Sequence, residues 1–312
     1  MTTITHQSRA FSGVWASVPT PLKTDFNIDL TRLNSHIRTL FAKGVHGVLL
    51  FGEMGEGSLF DVEEKLTALA YLIAQGIPAS SIMLSASCAN MNDALKLIQP
   101  ALALGVHGVT VMPPSYEQEI SEHGLIDYFD QLIARVNQPD WRLYLLLNAK
   151  KISMPDAVIE DLLGKHPDHI VGLIDEDANP THTLDLLKSF GDKADISSTH
   201  EMNHKLLKSR GVVSPLANLL PRVIIGMSTS GAQTQAHSVP GLKVKQGDER
   251  VQELVTLMGK YPSTLAMKFI LSILYRDVDW ARSRAPLGEL PLPSREYFNK
   301  AMKTFNLNTT EE

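Results

Sequence analysis

Carboxylates and one imidazole recur where apolar runs of the chain stop. Glu53 follows a run ending at Phe51, Asp175 and Glu176 follow His169–Ile174, and His200 and Glu201 follow Ala194–Ser197. Oxygen and imidazole donors of this kind suit Mg, Mn or Zn, so a divalent metal site built from Glu53, Asp175, Glu176 and His200 is one reading. Helix capping is the other. Acids just after a strand serve as N-caps and first-turn residues, and Asp175 to Asp177 precede the helical pattern "PTHTLDLLKSF". Capping is the preferred reading, and no metal or other cofactor is expected. The adjacent pair Lys150 and Lys151 offers amines. Two neighbouring lysines cannot both point inward, so they read first as a solvated loop. Cys88 has no visible His–Asp pair and reads as a buried, inert thiol.

The elements that must position these groups follow from apolar patterning. Strand-like runs cover Gly13–Val18, Gly47–Phe51, Ile82–Ser85, Gly108–Met112, Arg142–Leu147, His169–Ile174, Ala194–Ser197 and Gly211–Val213. Helical patterns such as "VEEKLTALAYLIAQG" separate them. "GVHGVLL" from Gly44 returns as "GVHGVTV" from Gly105, 61 residues on, which is the length of two βα units. Its histidines, His46 and His107, stand where strands begin. Eight strands buried on both faces and alternating with helices predict an α/β fold, a (β/α)8 TIM barrel. A doubly wound open sheet would want a Gly-rich turn after the first strand, and "ASVPTPLKTD" is not one. The barrel core is expected over 11–225. Residues 226–312 should hold the last barrel helix and a C-terminal helical extension broken by Pro262, Pro286 and Pro291.

Composition narrows the function. The 312 residues are 44% hydrophobic and carry a net charge of −5, with no basic run, so neither nucleic acid nor an anionic membrane is an expected partner. The single Cys88 leaves no internal disulfide, and "MTTITHQSRAFSG" lacks the apolar core of a secretory signal, so a cytoplasmic location is expected.

Chemistry in such barrels sits on the loops after the strands' C-terminal ends. Those ends read "SVPTP", "GEMGEGS", "SASCAN", "MPPSY", "LNAKK", "IDED", "SSTHE" and "SPLAN". In order and spacing they resemble the dihydrodipicolinate synthase/N-acetylneuraminate lyase family over nearly the whole chain. The family's GTTGE motif is matched by Gly52, Gly55 and Glu56, and its opening A-x-V-T-P by Ala16 to Pro21. Its last strand is matched by Gly211, Ser214, Ala217, Asn218 and Pro221. Its late P-x-K and R-x-P-L elements are similar to Met267-Lys268 and "RSRAPL". The resemblance implies a barrel with a helical extension, a homo-oligomer (dimer or tetramer), and imine chemistry on pyruvate or another 2-oxo acid. In that chemistry a buried, uncharged lysine attacks the keto carbon and a tyrosine relays protons.

Departures from the pattern concentrate at the chemistry. The family's strand-6 lysine falls on Ile174, its strand-5 tyrosine on Leu147, and its two threonines on Glu53 and Met54. Tyr116 is the surviving candidate tyrosine. The resemblance therefore implies a protein that binds a small 2-oxo acid or sugar acid through Gly52, Glu53, Met54, Gly55, Asn148, Ile174 and Ser214 but lacks the standard imine machinery. The alternatives are a lyase or aldolase using Lys150, Lys151 or a divalent metal, and an unrelated reaction on the same barrel.

Overall fold

A computed structural model describes residues 11–114, 120–147, 152, 154–204, 211–229 and 247–305. Eight parallel strands carry the fold: β1 (Gly13–Ser17), β2 (Gly47–Leu50), β3 (Ile82–Ser85), β4 (Gly108–Val111), β5 (Leu143–Leu147), β6 (Ile170–Asp175), β7 (Asp195–Ser198) and β8 (Gly211–Ser214). They are ordered β7-β6-β5-β4-β3-β2-β1-β8, so β7 and β8 face each other across a seam. Helices α1 (Leu30–Ala42), α2 (Val62–Ala74), α3 (Met91–Ala103), α4 (Glu122–Val136), α5 (Asp156–Lys165), α6 (Pro180–Phe190) and α7 (Pro221–Thr229) cover the outside. The chain is thus a (β/α)8 barrel. Past it, α8 (Gly247–Met258), α9 (Ser263–Leu274) and α10 (Leu292–Phe305) form the helical extension. Among the described residues no helix is long and apolar enough to cross a membrane.

Local chemistry explains the element boundaries. Asp29, Asn90, Ser121 and Asn179 cap α1, α3, α4 and α6 through side-chain oxygens. Asp61 and Glu64 close a reciprocal capping box on α2. Gly44 and Gly105 follow α1 and α3 at φ of +93° and +82°, left-handed turns that glycine makes at no steric cost. The repeated "GVHGV" is this turn running into a strand. Both histidines sit below their strands, where His46 Nδ1 accepts from the Val14 amide at 3.2 Å and His107 Nε2 meets the Tyr144 hydroxyl at 3.0 Å.

Strand alternation sorts the apolar side chains into two cores. The larger lies between strands and helices and includes Val48, Leu84, Val109, Leu145, Leu147 and Leu173. The smaller fills the barrel interior with Phe11, Trp15, Leu49, Met83, Met112, Tyr144, Leu146, Ile174 and Val213. Its lower end is an aromatic plug: Trp15 lies 4.8 Å from the His107 ring, and Phe11 is 5.5 Å from both Trp15 and Tyr144. Gly47 and Gly211 make room for it. A Cβ there would fall 2.4 Å from the Trp15 ring and 2.3 Å from the Phe11 ring.

Candidate active site

The β2–α2 loop "GEMGEGS" is anchored to the helical extension. Glu56 takes φ of +55°, an uncommon conformation for a residue with a side chain. Its carboxylate is fully buried and forms an ion pair with the equally buried Lys268 of α9. The Arg284 amide donates to its other oxygen at 3.2 Å. The Arg284 guanidinium then binds Glu64 and the carbonyls of Leu59 and Phe26, and lies 4.4 Å from the centre of the Phe60 ring. Burial pushes the Lys268 amine below the ordinary lysine range, and Glu56 opposes this. The motif residues Glu56, Lys268 and Arg284 are thus one cluster tying the extension to the mouth. The roof itself comes from α9: Ser263 and Thr264 face the mouth, and Thr264 Oγ1 donates to the Glu53 carbonyl at 3.3 Å. Sequence reasoning missed this pair, although "YPSTLAMKF" carries the helix-start signal that places them.

Two adjoining lobes make the mouth. The larger, about 440 Å³, is lined by Gly52, Glu53, Ser85, Ser87, Met112, Leu146, Glu176 and Thr264 among others. The smaller, about 290 Å³, is lined by Ser17, Glu53, Met54, Glu176, Thr199, His200, Glu201 and Met258 among others. Glu53, Glu176 and Ser263 belong to both. No lysine, tyrosine or cysteine lines either lobe among the described residues. Glu201 bridges the β7–β8 seam, where one carboxyl oxygen accepts from Ser214 Oγ and from the Leu216 amide, each at 2.8 Å. Burial pushes its carboxyl above the usual range, despite those two donors.

The structure brings some of the expected site residues together and disperses others. Gly52, Glu53, Met54, Glu176 and His200 reach the mouth. Ile174 is fully buried in the barrel's inner core, directly below it. Ser214 lies behind Glu201 and lines neither lobe, as does Gly55, whose carbonyl accepts from Thr20 Oγ1 at 2.7 Å. Tyr116, Asn148, Lys150 and Lys151 lie outside the described residues.

Two expectations are corrected. Asp175 neither caps α6 nor reaches the mouth. It is the last residue of β6, and alternation turns it outward, where Thr183 Oγ1 (2.6 Å), the Asp177 amide (2.9 Å) and His182 Nδ1 (3.1 Å) surround its carboxylate. The α6 cap is Asn179, and the cluster with Glu53, Glu176 and His200 does not form. Among the described residues no three His, Cys, Asp or Glu side chains converge to hold a metal ion. Leu147 faces the outer core, and Leu146 is the β5 residue that lines the mouth. β5 alternates without a break from Leu143 to Leu147, and the one extra residue between the two strands lies in β6, at Val171.

Comparison with known proteins agrees with the geometry. The model of the dihydrodipicolinate synthetase family matches residues 10–305. A 4-hydroxy-tetrahydrodipicolinate synthase from Endomicrobium trichonymphae is 24% identical over 300 residues, 95% of this chain and 99% of that protein. A DapA-like lyase from Chloroflexus aurantiacus is 27% identical over 216 residues, 68% of this chain and 72% of its own. The crystal structure of dihydrodipicolinate synthase from Agrobacterium tumefaciens superposes with a TM-score of 0.85 at 27% identity, covering 95% of this chain and all of that one. With the barrel, the roofing extension and the Glu56–Lys268–Arg284 cluster on one chain, the protein belongs to the dihydrodipicolinate synthetase family.

Proposed function

We propose that the protein binds a small 2-oxo acid or sugar acid at the barrel mouth and forms no imine at the end of β6. The observation that carries this reading is Ile174, an aliphatic side chain at the inward position where the family resemblance places a lysine. Support for an acid ligand comes from the β2–α2 loop. Met54 lines the smaller lobe, and its amide donates to no protein acceptor among the described residues, so it is available to a carboxylate. Glu53 and Glu176 line both lobes, and their carboxylates favour a ligand with hydroxyl donors, hence a sugar acid over pyruvate. Glu201 closes the wall of the smaller lobe at the β7–β8 seam, held there by Ser214 and the Leu216 amide. A homo-oligomer is part of the reading, and sedimentation showing a 34.4 kDa monomer would count against it.

The test is calorimetric titration with pyruvate and with a six-carbon sugar acid, run beside borohydride trapping of the same mixtures. Binding of the sugar acid without a covalent adduct supports the reading. A pyruvate adduct mapped to Lys150 or Lys151 would replace it with a displaced-lysine aldolase.

A further inference from the structure

Lys65 is out of place on α2. The face of the helix turned to the sheet carries Lys65, Ala68, Leu69 and Leu72, so a cation occupies an otherwise apolar stripe. The residue is 3% exposed. Among the described residues its ammonium makes no hydrogen bond and no ion pair, unlike that of the fully buried Lys268, which is held by Glu56. Burial pushes the Lys65 amine below the ordinary lysine range, against the pull of Cys88, Asp61, Glu64 and Asp93. Lys65 lines a cavity of about 430 Å³ between the loops after β2 and β3, together with Ser58, Ser87, Cys88 and Asp93. Gly57, Ser58 and Ser87 line both this cavity and the larger lobe of the mouth.

We propose that Lys65 and this cavity form an imine-forming site for small uncharged aldehydes, beside the larger lobe of the barrel mouth and off the barrel axis. The neutral amine attacks the carbonyl carbon. A proton passes from nitrogen to the carbonyl oxygen, and loss of water leaves the imine, with no oxidation or reduction. Around the cavity the carboxylates of Asp61, Glu63 and Asp93 outnumber the amines of Lys65 and Lys96, so an uncharged carbonyl compound enters more readily than an oxo acid anion. Ser87 Oγ accepts from the Met112 amide at 3.0 Å and from Ser85 Oγ at 3.4 Å, which leaves its own hydrogen for the aldehyde oxygen.

The experiment incubates the whole protein with glycolaldehyde and cyanoborohydride for short times near neutral pH and maps the reduced adducts by mass spectrometry. Lys65 should be modified first, severalfold faster than the exposed Lys96 and Lys188. Lys65→Arg should lose that fast adduct, while Cys88→Ala should keep it. Labelling in order of exposure, with Lys65 last, would overturn the proposal. So would pyruvate labelling Lys65 as fast as glycolaldehyde, because the site would then not select against an anion. The wild-type map decides even if a variant fails to fold.

Discussion

At the N-terminal end of the barrel the rings of Phe11, Trp15, His107 and Tyr144 fill the interior, and glycines in β2 and β8 stand aside for them. At the C-terminal end Ser17, Ser85, Glu53, Glu176 and Glu201 border open space. The same eight strands thus present a packed plug on one side and two polar lobes on the other. The polar groups of the plug are tied to one another, as in the His107–Tyr144 contact. Those of the mouth include the Glu56–Lys268–Arg284 cluster at its rim and Glu201 at the β7–β8 seam. Substitutions in the plug should therefore change stability and leave ligand binding alone. Substitutions inside the mouth should do the reverse, and the Glu56–Lys268 rim is where the distinction should fail.

That exception carries the largest expected effect. Lys268→Met leaves the Glu56 carboxylate buried without its cation, which should cost about 3–5 kcal/mol. Urea unfolding would measure it, and Glu56→Gln added to Lys268→Met should recover part of the loss. A cost below about 1 kcal/mol would mean that the rim is held by packing, not by this pair.

Acid should come next. Burial holds His36 and His204 down to about 4 from the ordinary 6.5, and His107 in the plug to about 4 as well. Between those values the unfolded chain binds more protons than the folded one. Stability is therefore full above about pH 6.5 and falls toward pH 4, by up to about 1.4 kcal/mol per pH unit for each fully buried imidazole. Glu201 acts in the opposite direction. Its folded value is raised, so its contribution is present at low pH and lost as pH rises through that value. Urea midpoints from pH 7 to 4.5 should fall, and Glu201→Gln should steepen the fall by removing the offset. A flat profile would show that these imidazoles are solvated.

Tyr144→Phe tests the plug itself. It leaves His107 Nε2 without its partner, at a cost of about 1–3 kcal/mol, and should leave the affinity of a mouth ligand unchanged. An equal loss in binding would erase the contrast between the two ends.

Much of this was legible in the residues, for identifiable reasons. Short apolar runs bounded by glycine turns and capping residues locate all eight strands to within about one residue, because parallel strands are buried on both faces and tolerate no polar interior. The parity of side chains at strand ends is a harder problem. Asp175 looks like a cap until β6 is seen to run one residue further, and the family match puts Leu147 in the tyrosine's place although unbroken alternation along β5 turns Leu146 to the mouth. A slip of one residue reverses every side chain, and no local pattern records it. Lys65 escapes for a different reason. Lysine ordinarily marks the wet side of a helix, so its place in the stripe of Ala68, Leu69 and Leu72 shows only once burial is known.

The smallest expected effect concerns turnover, and it sharpens the parity argument. From the sequence, Ile174→Lys places a new amine beside Asp175 and Glu176, whose charges would keep it protonated. The structure removes half of that reasoning, since Asp175 faces Thr183 and His182 on the opposite side of β6. The new side chain would instead sit in the inner core with Leu146 and Met112, where burial favours the neutral amine. Ile174→Lys should therefore give a borohydride-trappable imine with pyruvate at position 174. Turnover should stay at background, because no hydroxyl stands where β5 faces the mouth, and catalytic groups that act as a unit are not additive. Leu146→Tyr combined with Ile174→Lys should then exceed Leu147→Tyr combined with Ile174→Lys, since only residue 146 lines the lobe above the amine. Initial rates of retro-aldol cleavage of a 2-oxo sugar acid would rank the two. A faster enzyme carrying the tyrosine at 147 would mean that the end of β5 turns the other way.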